Sequence, residues 1–125
     1  MTVIDSRGWL HYFTGGSLAE AFTPVTEQTD LLVPALVIYE VYRALKRDVS
    51  EAAATEAAGH LATLTVATLD TALATDAADL GLAHHLATAD AIIYATAQAH
   101  GATLVTCDKH FAGLPGVDFI APSGQ

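Results

Sequence analysis

Two rhythms of apolar and polar positions alternate along this chain. Thr2 to Asp5 (TVID) is a short β-branched run that ends in an acid. Leu31 to Val33, Leu64 to Leu69, Thr103 to Thr106 and Val117 to Ile120 are runs of the same kind and read as strands. Between them the period is helical. Ser6 reads as the cap of a helix carrying Trp9, Leu10, Tyr12 and Phe13, which Gly15 and Gly16 stop; Ser17 begins a further short helix to about Phe22. Pro34 suits the first residue of a helix that continues through Arg47. On a wheel of about 100° per residue, Val37, Ile38, Val41, Tyr42, Ala44 and Leu45 fill one apolar arc of that helix, and Arg43, Lys46 and Arg47 fill the opposite one. Glu40 stands on the border. Ser50 caps a helix to about Leu61, and Asp70 to His85 reads as an Ala-rich helix with Asp76 and Asp79 outward.

The stretch from Thr88 to Phe111 reads helix, stop, strand, acid. Thr88 is placed as N-cap and Asp90 in the first turn, where a carboxylate suits the helix dipole. Ile92, Ile93, Ala95, Ala97 and Ala99 are apolar on nearly every side, which predicts deep burial. Gly101 sits where a helix end wants a left-handed residue, Asp108 stands just past the strand, and Lys109 to Leu114 reads as a turn or short helix. Strands alternating with helices predict an α/β fold: a three-layer α/β/α domain with a mostly parallel central sheet. Residues 1–125 form one domain in this reading, with 121–125 as a frayed tail.

Composition narrows the setting. The 125 residues are 52% hydrophobic, enough for one core without staples. Cys107, the lone cysteine, excludes an internal disulfide and fits a reducing compartment. The most apolar uncharged run, Leu31 to Tyr39, is too short to span a bilayer and contains Pro34. No charged, then apolar, leader opens the chain, so a cytoplasmic protein with no membrane partner is expected. A net charge of -9 excludes nucleic-acid binding by bulk charge. The five basic residues, Arg7, Arg43, Lys46, Arg47 and Lys109, nonetheless cluster in sequence beside Asp5, Glu40 and Asp108. They serve either a local anionic ligand or simply the neighbouring acids.

In a parallel α/β sheet, Asp5 and Asp108 fall at strand ends and Glu40 and Asp90 near helix starts just beyond strands, so all four point into one crevice. Two carboxylates about 6 Å apart, at an effective dielectric of about 20, repel by about 3 kcal/mol. Six such pairs come to on the order of 15 kcal/mol, more than a small domain with about 5–15 kcal/mol of stability carries. Either pKa values rise or a cation sits among the acids. Oxygen donors select Mg²⁺ or Mn²⁺, ions that polarise a phosphodiester and activate an attacking water.

The motifs carry a resemblance over essentially the whole chain. VIDS near the start, Glu40 in ALVIYEVYRAL, TADAIIYATA around Asp90 and LVTCDKHF around Asp108 resemble a PIN-domain ribonuclease, and within that family a VapC-type toxin. The resemblance implies Asp5, Glu40, Asp90 and Asp108 as the catalytic and Mg²⁺- or Mn²⁺-binding set. Ser6 and Thr106 match small hydroxyl positions beside the first and last acids, where they hold a water or orient a carboxylate. The resemblance further implies a metal-dependent endoribonuclease acting on RNA, a cognate antitoxin whose tail covers the site, and a homodimer. Arg43 and Arg47 are expected to neutralise flanking phosphates.

The same residues admit other readings. His84 and His85 fit no zinc spacing and read better as helix-end histidines. For His110, contact with RNA from its loop is the lesser reading beside an ordinary loop histidine. Trp9, Tyr12 and Phe13, at i, i+3 and i+4, favour packing over base stacking. Nothing supports Cys107 as a nucleophile. A phospho-receiver domain has this size, but it wants an acidic pair after the first strand and a late lysine that this chain lacks. A PIN-like module that binds RNA or protein without cutting is the alternative, and it predicts loss of at least one of the four acids.

Overall fold

The computed structural model describes residues 1–122; the end of the expected frayed tail, 123–125, lies outside the described residues. The elements follow the predicted order: β1 (Thr2–Ile4), α1 (Ser6–Thr14), α2 (Ala19–Thr26), β2 (Leu32–Pro34), α3 (Ala35–Asp48), α4 (Glu51–Ala62), β3 (Thr65–Ala67), α5 (Thr71–His84), α6 (Thr88–Ala99), β4 (Thr103–Thr106) and β5 (Val117–Phe119). A single 3-10 turn, Lys109–Phe111, follows β4.

Every strand pairing is parallel. β4 lies between β1 and β5, and β2 pairs with β3. One parallel bridge, Thr2 to Leu31, joins the two ribbons into the order β3-β2-β1-β4-β5. The chain thus winds outward from β1 to β3, then crosses back to β4 on the other side. The boundary between β1 and β4 is where the winding reverses, and such a boundary opens a crevice at the carboxyl ends of the strands. Val3, Ile4, Val33, Leu104 and Val105 fill the sheet's interior, and Trp9, Phe22, Val37, Val41, Leu61, Ile93 and Phe111 cover it from the helices. Each such side chain gains about 1.5–3 kcal/mol on burial, so the helices cannot slide without exposing the core.

Several local expectations shift by one residue, each for a physical reason. Asp5, not Ser6, caps α1: its backbone is extended and its Oδ1 accepts from the Gly8 N–H. Ser6 is helical, which frees its hydroxyl for other use. Pro34 is extended (φ -59°, ψ 136°) and closes β2, so α3 begins at Ala35. Thr88 already has helical geometry; Ala87 occupies the cap of α6 and makes no side-chain bond there. α2 runs past Phe22 to Thr26 although Pro24 forfeits one helical N–H. On α6, Ala91, Ile93, Tyr94, Ala95, Thr96 and Ala97 are buried, whereas Ala99, in the last turn, is exposed. On α3, Val37, Val41 and Leu45 are buried and Arg43, Lys46 and Arg47 are exposed, as the wheel requires.

Candidate metal centre

Parallel register builds the site. Ile4 lies opposite Val105, so the residues that follow, Asp5 and Thr106, emerge side by side at the same sheet edge. Asp5 is 4% exposed. Its Oδ1 takes the Gly8 N–H at 2.9 Å, and its Oδ2 takes the Thr106 hydroxyl at 2.5 Å. Thr106 Oγ1 in turn accepts the Asp108 N–H at 2.9 Å, so one buried hydroxyl ties the ends of β1 and β4 together. Asp108 caps the 3-10 turn: its Oδ1 accepts the His110 N–H at 2.9 Å and lies 2.8 Å from His110 Nδ1.

Asp90 comes from the first turn of α6, half-buried and with its carboxylate among other acids. One ligand atom from each of Asp90, Asp108 and His110 lies within 4.8 Å of the other two. Glu40 reaches the crevice from α3, and its Oε1 accepts the Ser6 hydroxyl at 2.5 Å. Asp5 and Glu40 stand outside the three-residue group but inside its field. Burial, followed by the charges of Asp108 and Glu40, raises the Asp90 carboxyl above its ordinary value. Asp5 is pushed up to about 6: burial outweighs the Thr106 and Gly8 hydrogen bonds that favour its charge, and Asp108 and Asp90 add to the rise. Burial is the larger cause of both shifts, and the charges of Asp108 and Glu40 on Asp90, and of Asp108 and Asp90 on Asp5, couple these acids across the crevice. The donor set is oxygen-rich, with one imidazole, and fits a divalent cation of the Mg²⁺ or Mn²⁺ kind.

The comparisons with known proteins bear on this geometry. The model of the PIN domain family matches residues 2–117. The chain belongs to the PIN-domain family. No curated protein sequence matches it. The fold of this PIN domain is shared with a protein of a toxin–antitoxin complex from Klebsiella pneumoniae, at 26% identity and a TM-score of 0.81 over 94% of this chain and 96% of that one. VapC20 of Mycobacterium tuberculosis, a toxin that cleaves the sarcin–ricin loop, is 17% identical with a TM-score of 0.81, covering 98% of this chain and 100% of its own. VapBC2 of Rickettsia felis, solved with a fragment of promoter DNA, is 13% identical with a TM-score of 0.73, covering 97% and 98%.

Around the acids, the PIN domain's basic residues fall into two classes. Arg7, Arg43 and Arg47 line one groove with Ser6, Tyr39 and Glu40. Arg47 is already held by Asp48 through two contacts of 2.8 Å, from Nε and Nη2. Arg7 and Arg43 have no ion-pair partner among the described residues. Trp9 is buried and packs with Tyr12, Phe13 and His60, which assigns the aromatic triplet of α1 to packing. His84 lies edge-on to Tyr94 and His85 is the left-handed cap of α5. Burial pushes the Cys107 thiol up, away from reactivity. The sequence reading missed His110 as a partner of Asp108. The available signal was its Asp-x-His spacing, which a 3-10 turn folds onto one side.

Proposed function

We propose that this PIN domain is a Mg²⁺- or Mn²⁺-dependent endoribonuclease, the toxin of a toxin–antitoxin pair. The observation that supports this reading is the grouping of Asp90, Asp108 and His110 ligand atoms where the sheet's winding reverses, with Asp5 and Glu40 near enough for charge to couple them to Asp90. When bound, a divalent ion would supply Lewis-acid polarisation of a phosphodiester and activation of a water there. Asp90 and Asp108 would hold it, with Asp5 and Glu40 at the flanks. Thr106 and Gly8 fix Asp5, and Ser6 fixes Glu40, so these carboxylates are oriented before an ion arrives. Arg7 and Arg43 would meet the phosphates on either side of the cut; Arg47 would join them only by releasing Asp48.

An antitoxin partner and a homodimer are part of the proposal. Support for the partner comes from the Klebsiella protein, which was solved in a toxin–antitoxin complex. No helix among the described residues is long and apolar enough to cross a membrane. The test is cleavage of a mixed pool of structured cellular RNA with Mg²⁺, Mn²⁺ or EDTA, beside the Asp90→Asn protein. Cutting that needs both metal and Asp90 is expected. A pool left intact under every condition, by a protein that no divalent ion stabilises, would favour the module that binds without cutting.

A further inference from the structure

We propose that His110 is itself a ligand of the ion held by Asp90 and Asp108, so that this site prefers Mn²⁺ and later first-row ions over Mg²⁺. The proposal rests on the metal-dependent reading above and adds a nitrogen donor to it. Ligands about 2.1 Å from an octahedral ion sit about 3.0 Å apart when adjacent and about 4.2 Å apart when opposite. His110 Nδ1 lies 2.8 Å from Asp108 Oδ1, and the ligand atoms of Asp90, Asp108 and His110 all lie within 4.8 Å of one another. The His110–Asp108 separation matches adjacent ligands of one ion, and the three ligand atoms lie close enough for small side-chain rotations to bring them onto it.

The turn that carries His110 is anchored on both sides. Asp108 caps it at one end, and the fully buried Phe111, which packs beside the Tyr94 ring, pins the other. The imidazole is therefore delivered to the acids by backbone geometry. It is also 73% exposed, so it can turn toward an ion without disturbing the core. An imidazole changes the selectivity of an oxygen site, because nitrogen suits later transition ions, whereas Mg²⁺ favours carboxylates and water. The competing role is a plain contact with Asp108, 2.8 Å away, that is displaced when metal binds.

Mn²⁺ electron paramagnetic resonance separates the two roles. The Mn²⁺-loaded wild-type protein is expected to show coupling to an imidazole ¹⁴N that disappears in His110→Ala. Calorimetric titration should then find the preference for Mn²⁺ over Mg²⁺ reduced about tenfold in His110→Ala, within the range known for groups that support a metal site. His110→Asn, which keeps a polar side chain, should also lose the nitrogen signal. A bound Mn²⁺ without ¹⁴N coupling, with both affinities changed equally by His110→Ala, would overturn the proposal and leave the four-acid reading standing. A wild-type protein that binds neither ion would overturn both.

Discussion

Asp5 follows β1, caps α1 and offers its remaining lone pairs to the crevice. Those tasks conflict energetically. An ordinary aspartate titrates at 3.8, whereas burial lifts Asp5 to about 6. A carboxyl raised in the folded state stabilises the fold while protonated, below about pH 4, and that contribution is lost as the pH climbs through 6. At neutral pH the metal-free protein therefore carries a penalty of about 3 kcal/mol from this one group. Asp5→Asn keeps an oxygen for the cap and removes the charge. In EDTA it is expected to raise the melting temperature by several degrees at pH 7.5 and to change it little at pH 3.5. An equal change at both pH values would contradict this account of Asp5. The acid itself was legible as the polar stop of TVID. Its tie to Thr106 was not, because that bond joins residues 101 positions apart and depends on strand register. Ser6 and Asp5 are both good capping types, so local pattern alone could not decide which one capped α1.

The elements hold the acids by close packing. α1 approaches β1 and α2 so tightly that a Cβ on Gly8 would lie 2.5 Å from Phe22 Cε1 and 2.6 Å from Ile4 Cγ2. Gly8→Ala is expected to cost about 1–3 kcal/mol in denaturant unfolding. It should also weaken metal binding, because the same residue donates its N–H to Asp5. Unchanged stability would mean that α1 has freedom the packing denies it. At this scale α3 was the most legible element, since its apolar arc has the helical period and Glu40 sits at the edge. β3 was less so: of Leu64 to Leu69, only Thr65–Ala67 pairs, and Thr65 and Val66 are exposed on the sheet's edge. Burial pattern, the main strand signal, is weakest where a strand has one neighbour.

Across the whole molecule the charge is divided rather than uniform. The net charge of -9 repels RNA, yet Arg7 and Arg43 line a groove beside Glu40 without ion-pair partners among the described residues. Arg43→Glu, placed in the uncut Asp90→Asn background, is expected to weaken RNA binding about tenfold at low salt and to flatten the salt dependence by about one unit of slope. Introduced alone into the wild-type protein, Arg43→Glu should hardly move Mn²⁺ affinity. A salt slope identical to that of the parent would remove this groove from the RNA path. The parallel α/β architecture was legible because strands and helices alternate without interruption. The strand order was not, since only the crossing from β3 back to β4 decides which strand ends face each other. That crossing sets Asp5 beside Asp108, and the central claim is that the resulting crevice holds the ion. The most direct measurement is anomalous scattering from crystals grown with Mn²⁺. The account predicts a strong peak within about 2.2 Å of carboxylate oxygens of Asp90 and Asp108, with Asp5 and Glu40 facing it. Saturating Mn²⁺ with no peak among these four acids, or with peaks only elsewhere on the surface, would contradict it.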